Sequence, residues 1–250
     1  MSGDLYQLLR LDIDKPIRLS VCGAGGKTTL LQALAREANL YGKKAGLITT
    51  VRMRAPHEED MFVFYGYGSK WMHKVWKSGR IIVAGGSAGR GWLGEADRAS
   101  VDFQLRYAEL LAVKADFSQG LPLKWPLADE PKLLPQSSCA LVMMGLSALG
   151  RPFDEVCLNA AAARQALDFH DEIVNEDILA RLIHQGYSRF TSRAFLNQAD
   201  DERLRLQGEE VARMLYRLGW EQVVVDSLQQ RGLCREYEDM PVQVSEHGYH

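Results

Sequence analysis

A glycine-rich turn between a predicted strand and a predicted helix is the feature that most constrains how this 250-residue chain can fold. Residues 17–22 are mostly apolar and β-prone, which predicts a buried strand. From residue 28 onward, apolar side chains recur at the spacing of one helix face, at Leu30, Leu31, Leu34, Ala35 and Ala38. A strand, a glycine turn and a helix in this order are the context in which phosphate-binding loops occur. The sequence therefore predicts such a loop at residues 23–29.

Each residue type in this turn suits contact with a phosphate chain. Glycine lets the backbone adopt positive φ and bring its N–H groups close to phosphate oxygens, and the start of the helix adds a partial positive charge. Lys27 is the expected cation for the β- and γ-phosphates, Thr28 the expected ligand of Mg²⁺, and Thr29 a helix cap or an α-phosphate contact. The predicted nucleotide-binding residues of the loop are Gly23, Ala24, Gly25, Gly26, Lys27, Thr28 and Thr29. The expected cofactor is Mg²⁺ with ATP or GTP.

The loop is shorter than the usual G-x-x-x-x-G-K-[ST], because Val21 stands at the position of the first glycine. The remaining G-x-x-G-K-T-T resembles the loops of Mur-type ligases. A Mur-like ATP-dependent ligase rests on this loop alone, since 250 residues leave little length for the separate substrate domains of that family. The competing interpretation is a glycine turn that happens to precede Lys-Thr-Thr.

Composition favours a globular protein without nucleic-acid or membrane partners. Hydrophobic residues make up 46% of the chain, and 30 basic residues against 32 acidic ones give a net charge of −2. No apolar run approaches the length of a membrane span and the N-terminus lacks the pattern of a signal peptide, so we expect a cytoplasmic protein. The scattered cysteines predict neither a zinc site nor a disulfide framework; they are Cys22, Cys139, Cys157 and Cys234.

Strand and helix patterns alternate along the chain, which predicts an α/β fold with a mostly parallel, doubly wound sheet of P-loop NTPase type and peripheral insertions. We expect residues 1–250 to form one nucleotide-binding domain with a helical insertion around residues 151–187. The strand predicted at residues 44–50 is expected beside the first strand. Residues 56–80 mix aromatic and basic side chains, and a surface helix and hairpin with the rings on the core is favoured over a site for single-stranded nucleic acid.

Two further segments supply candidate site residues. Asp116 ends an apolar stretch that begins at residue 110, where a carboxylate that coordinates Mg²⁺ near Thr28 is expected. Asn197 and Asp200 follow a late predicted strand in Asn-Gln-Ala-Asp, similar to the N-K-x-D motif that reads guanine in P-loop GTPases, with Gln198 in place of the lysine. The alternative is that this segment caps the helix that follows it.

The order of these motifs resembles the YqeC family, accessory proteins of selenium-dependent molybdenum hydroxylases. The matching pieces are Gly23-Ala24-Gly25-Gly26-Lys27-Thr28-Thr29, Thr49-Thr50 with Pro56, Ala115-Asp116, Leu121-Pro122-Leu123-Lys124, Glu130-Pro131, Leu149-Gly150, His170, and Asn197 with Asp200. The resemblance implies a cytoplasmic nucleotide-binding protein that assists the selenium or molybdenum cofactor, with a molybdenum hydroxylase or its cofactor as partner.

This chain departs from the family pattern at one place. The family usually has Glu-Ala-Asp-Gly where this chain has Lys114-Ala115-Asp116-Phe117. If the glutamate positions water or metal, Lys114 cannot replace it, and the nucleotide is then bound with slow or absent turnover. Alternatively, Lys114 contacts a phosphate.

Two alternative functions from different classes are therefore considered. In the first, an NTPase or group transferase, Lys27 and Asp116 organise the nucleotide while Lys124 and His170 face a second substrate. The simpler interpretations are that Lys124 is a solvated surface lysine and that His170 is satisfied by its neighbours Asp171 and Glu172. In the second, the protein is a nucleotide-gated chaperone or binding module with little turnover, whose loops around residues 85–94 order when nucleotide binds.

Overall fold

The computed structural model describes residues 4–233. Its strands are β1 (Ile17–Gly23), β2 (Ala45–Thr49), β3 (Met53–Arg54), β4 (Met61–Phe64), β5 (Ile81–Ala84), β6 (Gly86–Ser87), β7 (Trp92–Gly94), β8 (Leu110–Lys114), β9 (Leu123–Lys124), β10 (Cys139–Gly145), β11 (Cys157–Leu158), β12 (Arg193–Asn197) and β13 (Gln222–Val225). Its α-helices are α1 (Leu5–Leu8), α2 (Lys27–Leu40), α3 (Ser69–Lys77), α4 (Arg98–Tyr107), α5 (Phe153–Val156), α6 (Ala160–Leu167), α7 (Glu176–Tyr187) and α8 (Glu202–Arg217), and a 3₁₀ turn spans Leu146–Ala148.

Eight strands form one sheet in the order β13-β12-β10-β1-β8-β2-β5-β4, with every neighbouring pair parallel. This confirms the predicted mostly parallel α/β fold. The expected position of β2 is wrong, because β8 lies between β1 and β2, with Lys114 paired to Val21 on one side and to Thr49 on the other. Both β2 and β8 are short and wholly buried, so their hydrophobic pattern does not specify which one lies beside β1.

Helices cover both faces of the sheet. Along β8, Leu110 and Ala112 pack with α1 and α2 on one face, whereas Leu111 and Val113 pack with α3 and α4 on the other. Helices α7 and α8 pack on that second face, above β10 and β12. Strand β1 is therefore central, and the turn after it lies at the carboxyl edge of the sheet, where ligands of parallel α/β proteins bind.

Two small sheets extend this edge. Strands β3, β7 and β6 form an antiparallel sheet from the segments that follow β2 and β5, and β9 pairs with β11 in parallel. The region from α5 to α7 joins the core through residues such as Phe153 and Phe169, whose rings pack edge to face with their centroids 4.8 Å apart. No helix in the described range is long and apolar enough to cross a membrane.

The aromatic-rich segment differs from the hairpin expected at residues 56–80. Strand β4 pairs in parallel with β5 and forms the edge of the sheet. Trp76 is buried, with its indole N–H donating to the Ala45 carbonyl at 2.8 Å. In contrast, other rings of the segment are exposed; they belong to Phe62, Tyr65, Tyr67 and Trp71. An edge strand has one side without a neighbouring strand, and only part of its aromatic surface is covered here.

Candidate functional site

The turn between β1 and α2 is built from three glycines with positive φ, 83° at Gly23, 75° at Gly25 and 114° at Gly26. Any side chain here would be both strained and obstructed. A Cβ on Gly25 would collide with the backbone of Gly145, and one on Gly26 would lie 2.6 Å from the side-chain nitrogen of Asn197. Only glycine lets the loop lie this close to the ends of β10 and β12.

The backbone N–H groups of the loop fall into two sets. The first three donate to protein acceptors: Gly23 to the Asp116 carboxylate (3.1 Å), Ala24 to the Met143 carbonyl (2.7 Å) and Gly25 to the Leu121 carbonyl (3.3 Å). The next four, at residues 26–29, have no hydrogen-bond partner within residues 4–233. They open the 14-residue helix α2, where free N–H groups and the helix dipole favour an anion. The expectation that the N–H groups of Gly23, Ala24 and Gly25 meet phosphate is therefore corrected, because these groups hold the loop in place.

Asp116 lies under this loop and is fully buried. One carboxylate oxygen accepts from the N–H of Gly23, and the other accepts from the N–H of Phe117 (3.0 Å) and from the Lys124 ammonium. Burial raises the pKa of Asp116, while the ammonium groups of Lys124 and Lys27 oppose that shift. The carboxylate therefore ties the end of β8 to the start of the loop. It faces the loop, as the strand pattern led us to expect.

Lys124 does not face a second substrate, and the expectation that it does is corrected. It is 1% exposed, and its ammonium group donates to Asp116, to the Phe117 carbonyl (2.9 Å) and to Glu130 (2.7 Å). The alternative of a solvated surface lysine is wrong for the same reason. Two carboxylates hold this cation because an unpaired ammonium group would be costly at such a depth.

Lys27 is the second buried cation of the site. Its side chain is folded back over the loop, and its ammonium group donates to the Gly23 carbonyl and to the Ser118 hydroxyl (3.0 Å). Burial lowers the pKa of Lys27 to about 7; Asp116 opposes the shift and Lys114 adds to it. No carboxylate forms an ion pair with Lys27 in the described range. An incoming phosphate would thus supply the partner that its ammonium group lacks.

A cavity of about 750 Å³ lies beside the loop. Its lining includes Thr28, Lys114 and Phe117, and two arginines that sequence reasoning did not single out, Arg52 and Arg54. The signal for them was present in the sequence, because they lie within five residues of the end of strand β2, whose carboxyl end lies at the same edge of the sheet as the loop. Burial lowers the pKa of Lys114 to about 8, and its ammonium group donates to the Arg52 carbonyl at 3.0 Å.

Thr28 fits Mg²⁺ better than Asp116 does. Its half-buried side chain lines the cavity, and its hydroxyl makes no hydrogen bond within the described range. Mg²⁺ keeps several waters and commonly takes only one or two protein oxygens beside the phosphates of a nucleotide. Both oxygens of Asp116 already accept hydrogen bonds, one of them from Lys124, so direct coordination by Asp116 stays a prediction. Thr29 is also half-buried at the start of α2.

The Asn197–Asp200 segment is structural in this arrangement. The Asn197 side chain donates to the Gly25 carbonyl (2.8 Å) and accepts from the N–H of Leu228 (3.0 Å), and the residue is only 4% exposed, so it is buried in the protein rather than presented to a base. The expectation that Asn197 reads the base is corrected on that ground. Asp200 accepts from the hydroxyl of Ser227. The predicted helix cap exists one residue later, where Asp201 accepts from the N–H of Leu204.

The remaining candidates lie away from the loop or outside the described range. His170 is exposed between α6 and α7 and is absent from the lining of the cavity beside Thr28. The structure therefore does not bring it together with Lys27 and Asp116. Cys22 and Cys157 are buried and Cys139 is half-buried. Within residues 4–233 no cluster of metal-ligating side chains is found, and Cys234 lies outside that range.

The fold and the site define a mostly parallel α/β protein with a glycine-rich loop at the start of a central helix. A family model described as "YqeC protein" matches residues 19–161, more than half of the chain. The chain therefore belongs to the YqeC family. The matched range includes the loop, Asp116 and Lys124, whereas His170, Asn197 and Asp200 lie beyond it.

One relative is a protein of Escherichia coli (strain K12) named "Uncharacterized protein YqeC". The two sequences are 31% identical over 147 residues, which are 54% of each chain. The chain thus spans about half the length of this curated relative.

Replacing the buried cation tests the network beneath the loop. Lys124→Met should lower the free energy of unfolding by about 3–5 kcal/mol, because it leaves two carboxylates without their buried partner. Chemical denaturation measures this change.

Two further variants keep that experiment interpretable. Adding Asp116→Asn to Lys124→Met should recover part of the loss, because it removes one of the uncompensated charges. Lys15→Met removes an exposed ion pair with Asp12 and should change stability by less than about 1 kcal/mol. Equal losses at residues 15 and 124 would contradict the account of a buried network.

Proposed function

We propose that the chain is a P-loop protein that binds Mg²⁺ with ATP or GTP and serves the maturation of selenium-dependent molybdenum hydroxylases. The observation that carries the nucleotide-binding part is the set of four unpartnered N–H groups at residues 26–29 beside the ammonium group of Lys27. These groups converge at the start of one helix, as required to hold a chain of phosphate oxygens.

The position of the loop supports the assignment to the P-loop NTPase type. The loop follows the central strand β1, and β8 beside it ends at Asp116, whose carboxylate accepts from Gly23. Lys27 would leave the Gly23 carbonyl to meet the β- and γ-phosphates, and Thr28 would ligate Mg²⁺. When bound, Mg²⁺ would neutralise charge on those phosphates. Asp116 would keep the loop in position.

The cellular setting rests on the family. Membership in the YqeC family and the matching motifs support a cytoplasmic accessory role, with a molybdenum hydroxylase or its cofactor as partner. ATP and GTP are equal candidates, because the side chain of Asn197 is buried and bonded to Gly25 and Leu228 rather than presented to a base.

A second candidate, a nucleotide-gated binding module with little turnover, is favoured by one observation. No aspartate or glutamate of the described residues lines the cavity beside Thr28, so no carboxylate there is placed to activate water or an acceptor. Asp116 is already paired with Lys124. Tight binding with slow hydrolysis would support this candidate, and steady turnover would support the enzyme.

Loss of the Lys27 ammonium group should abolish nucleotide binding. In a thermal-shift panel of Mg²⁺ with ATP, GTP, CTP and their diphosphates, the nucleotide that binds should stabilise the parent by about 2.7 kcal/mol at a concentration about 100 times its Kd. Lys27→Ala should show no shift from its own baseline, while Lys70→Ala, which changes an exposed lysine, should behave as the parent.

Equal stabilisation of the parent and Lys27→Ala would refute the phosphate-loop assignment. The same variants test the cellular setting. In a host whose hydroxylase activity depends on this gene, Lys70→Ala should restore that activity and Lys27→Ala should not. Full activity with Lys27→Ala would separate the maturation role from nucleotide binding.

Nucleotide binding should take up a proton above pH 7. With its pKa near 7, Lys27 is largely neutral above that pH in the free protein, and phosphate favours the charged form. Affinity for Mg²⁺-nucleotide should therefore fall as pH rises from 7 to 9, by up to about tenfold per unit. Calorimetry in buffers of different ionisation enthalpy measures the uptake. The proton uptake should persist in Lys114→Met, which removes the other lysine of lowered pKa. An affinity that does not change with pH, without proton uptake, would contradict the argument from burial of Lys27.

A further inference from the structure

The cavity beside the loop has a wall of unpaired cations. The guanidinium carbon of Arg52 lies 4.2 Å from the centre of the Trp92 ring, and that of Arg54 lies 5.4 Å from it. No carboxylate forms an ion pair with either arginine in the described range. The ring holds both side chains over the cavity without neutralising them.

Lys114 fixes this wall and adds to its charge. Lys114 donates to the Arg52 carbonyl at 3.0 Å, which anchors the chain that carries the arginines. His57 also lines the cavity, and no acidic residue of the described range does so. A cavity of about 750 Å³ is within the usual range for small-molecule sites. Cations gathered at such a site without counter-charges favour an anion.

The cavity and the contact of Asn197 with the loop lie on opposite flanks of the loop. In the sheet, β8 and β2 lie on one side of β1, and they lead to Lys114 and to Arg52 and Arg54. Strands β10 and β12 lie on the other side, where Asn197 contacts the loop. Thr28 belongs to both the loop and the cavity wall. A molecule in the cavity would therefore sit next to the phosphate end of a bound nucleotide.

We propose that this cavity binds a second ligand, an anionic small molecule recognised through its phosphate or carboxylate groups by Arg52, Arg54 and Lys114. Its placement as the partner substrate or effector of a nucleotide rests on the proposed function; the anion site itself does not. Trp92 orients the two guanidinium groups, and the anion supplies their missing counter-charge.

Inorganic pyrophosphate is the probe. Calorimetric titration into the parent, saturated with Mg²⁺ and a non-hydrolysable ATP or GTP analogue, should give saturable binding without displacing the nucleotide. The double variant Arg52→Gln/Arg54→Gln should bind pyrophosphate at least about tenfold more weakly, a loss of about 1.4 kcal/mol. The control Arg98→Gln/Arg106→Gln removes two exposed charges from α4 and should stay within about twofold of the parent.

Absence of saturable binding, displacement of the nucleotide by pyrophosphate, or equal binding by the parent and Arg52→Gln/Arg54→Gln would overturn the proposal. Titration of Lys27→Ala without nucleotide separates the two sites. If the parent binds no nucleotide but Lys27→Ala binds pyrophosphate through Arg52 and Arg54, the proposed function fails and the anion site stands. If nucleotide binds and pyrophosphate does not, the reverse holds.

Discussion

The buried carboxylate of Asp116 is the contact on which the site depends. It lies just after β8 and accepts from the N–H of Gly23, where the loop begins, and from the ammonium group of Lys124. Lys124 in turn binds Glu130 and brings the segment after Asp116 against the sheet. One side chain thus connects the loop, the neighbouring strand and the segment below them. This contact helps to hold the glycine turn in the conformation that leaves the N–H groups at the start of α2 without protein partners.

The same arrangement leaves the site with more positive than negative charge. Lys27, Lys114 and Lys124 surround Asp116, and burial lowers the pKa of both Lys27 and Lys114. Keeping these ammonium groups charged costs free energy until an anion arrives. Of these three lysines, only Lys124 also pairs with Glu130. A phosphate at residues 26–29 and an anion beside Arg52 would neutralise the remaining positive charges.

Much of the fold and the centre of the site could be predicted from the sequence. The alternation of apolar runs indicated the α/β fold, and glycines between a strand and a helix indicated the loop, because both depend on short-range patterns. Strand order could not be obtained this way, since β2 and β8 are equally apolar. The strand that leads to Asn197 begins only at Arg193, because residues 188–192 pass from the end of α7 through a turn. Boundaries of this kind are set by tertiary contacts.

The roles of single polar side chains were harder to predict. Asn197 bonds to Gly25, which is 172 positions away in the sequence, and Lys124 bonds to Asp116, which is 8 positions away. No local pattern shows which polar groups fold inward. The alignment of Arg52 and Arg54 on Trp92 depends on the pairing of β3 with β7. The contacts of Asn197, Arg52 and Arg54 arise from the meeting of distant segments, and such contacts decide which candidate residues remain available to a ligand.

The most direct test of the central claim is a crystal structure of the protein with Mg²⁺ and a non-hydrolysable analogue of ATP or GTP. The account predicts phosphate oxygens bound by the N–H groups of residues 26–29, with the Lys27 ammonium group moved from the Gly23 carbonyl to the phosphates. Asp116 should still hold the N–H of Gly23. A nucleotide bound elsewhere, with Lys27 still on the Gly23 carbonyl, would contradict it.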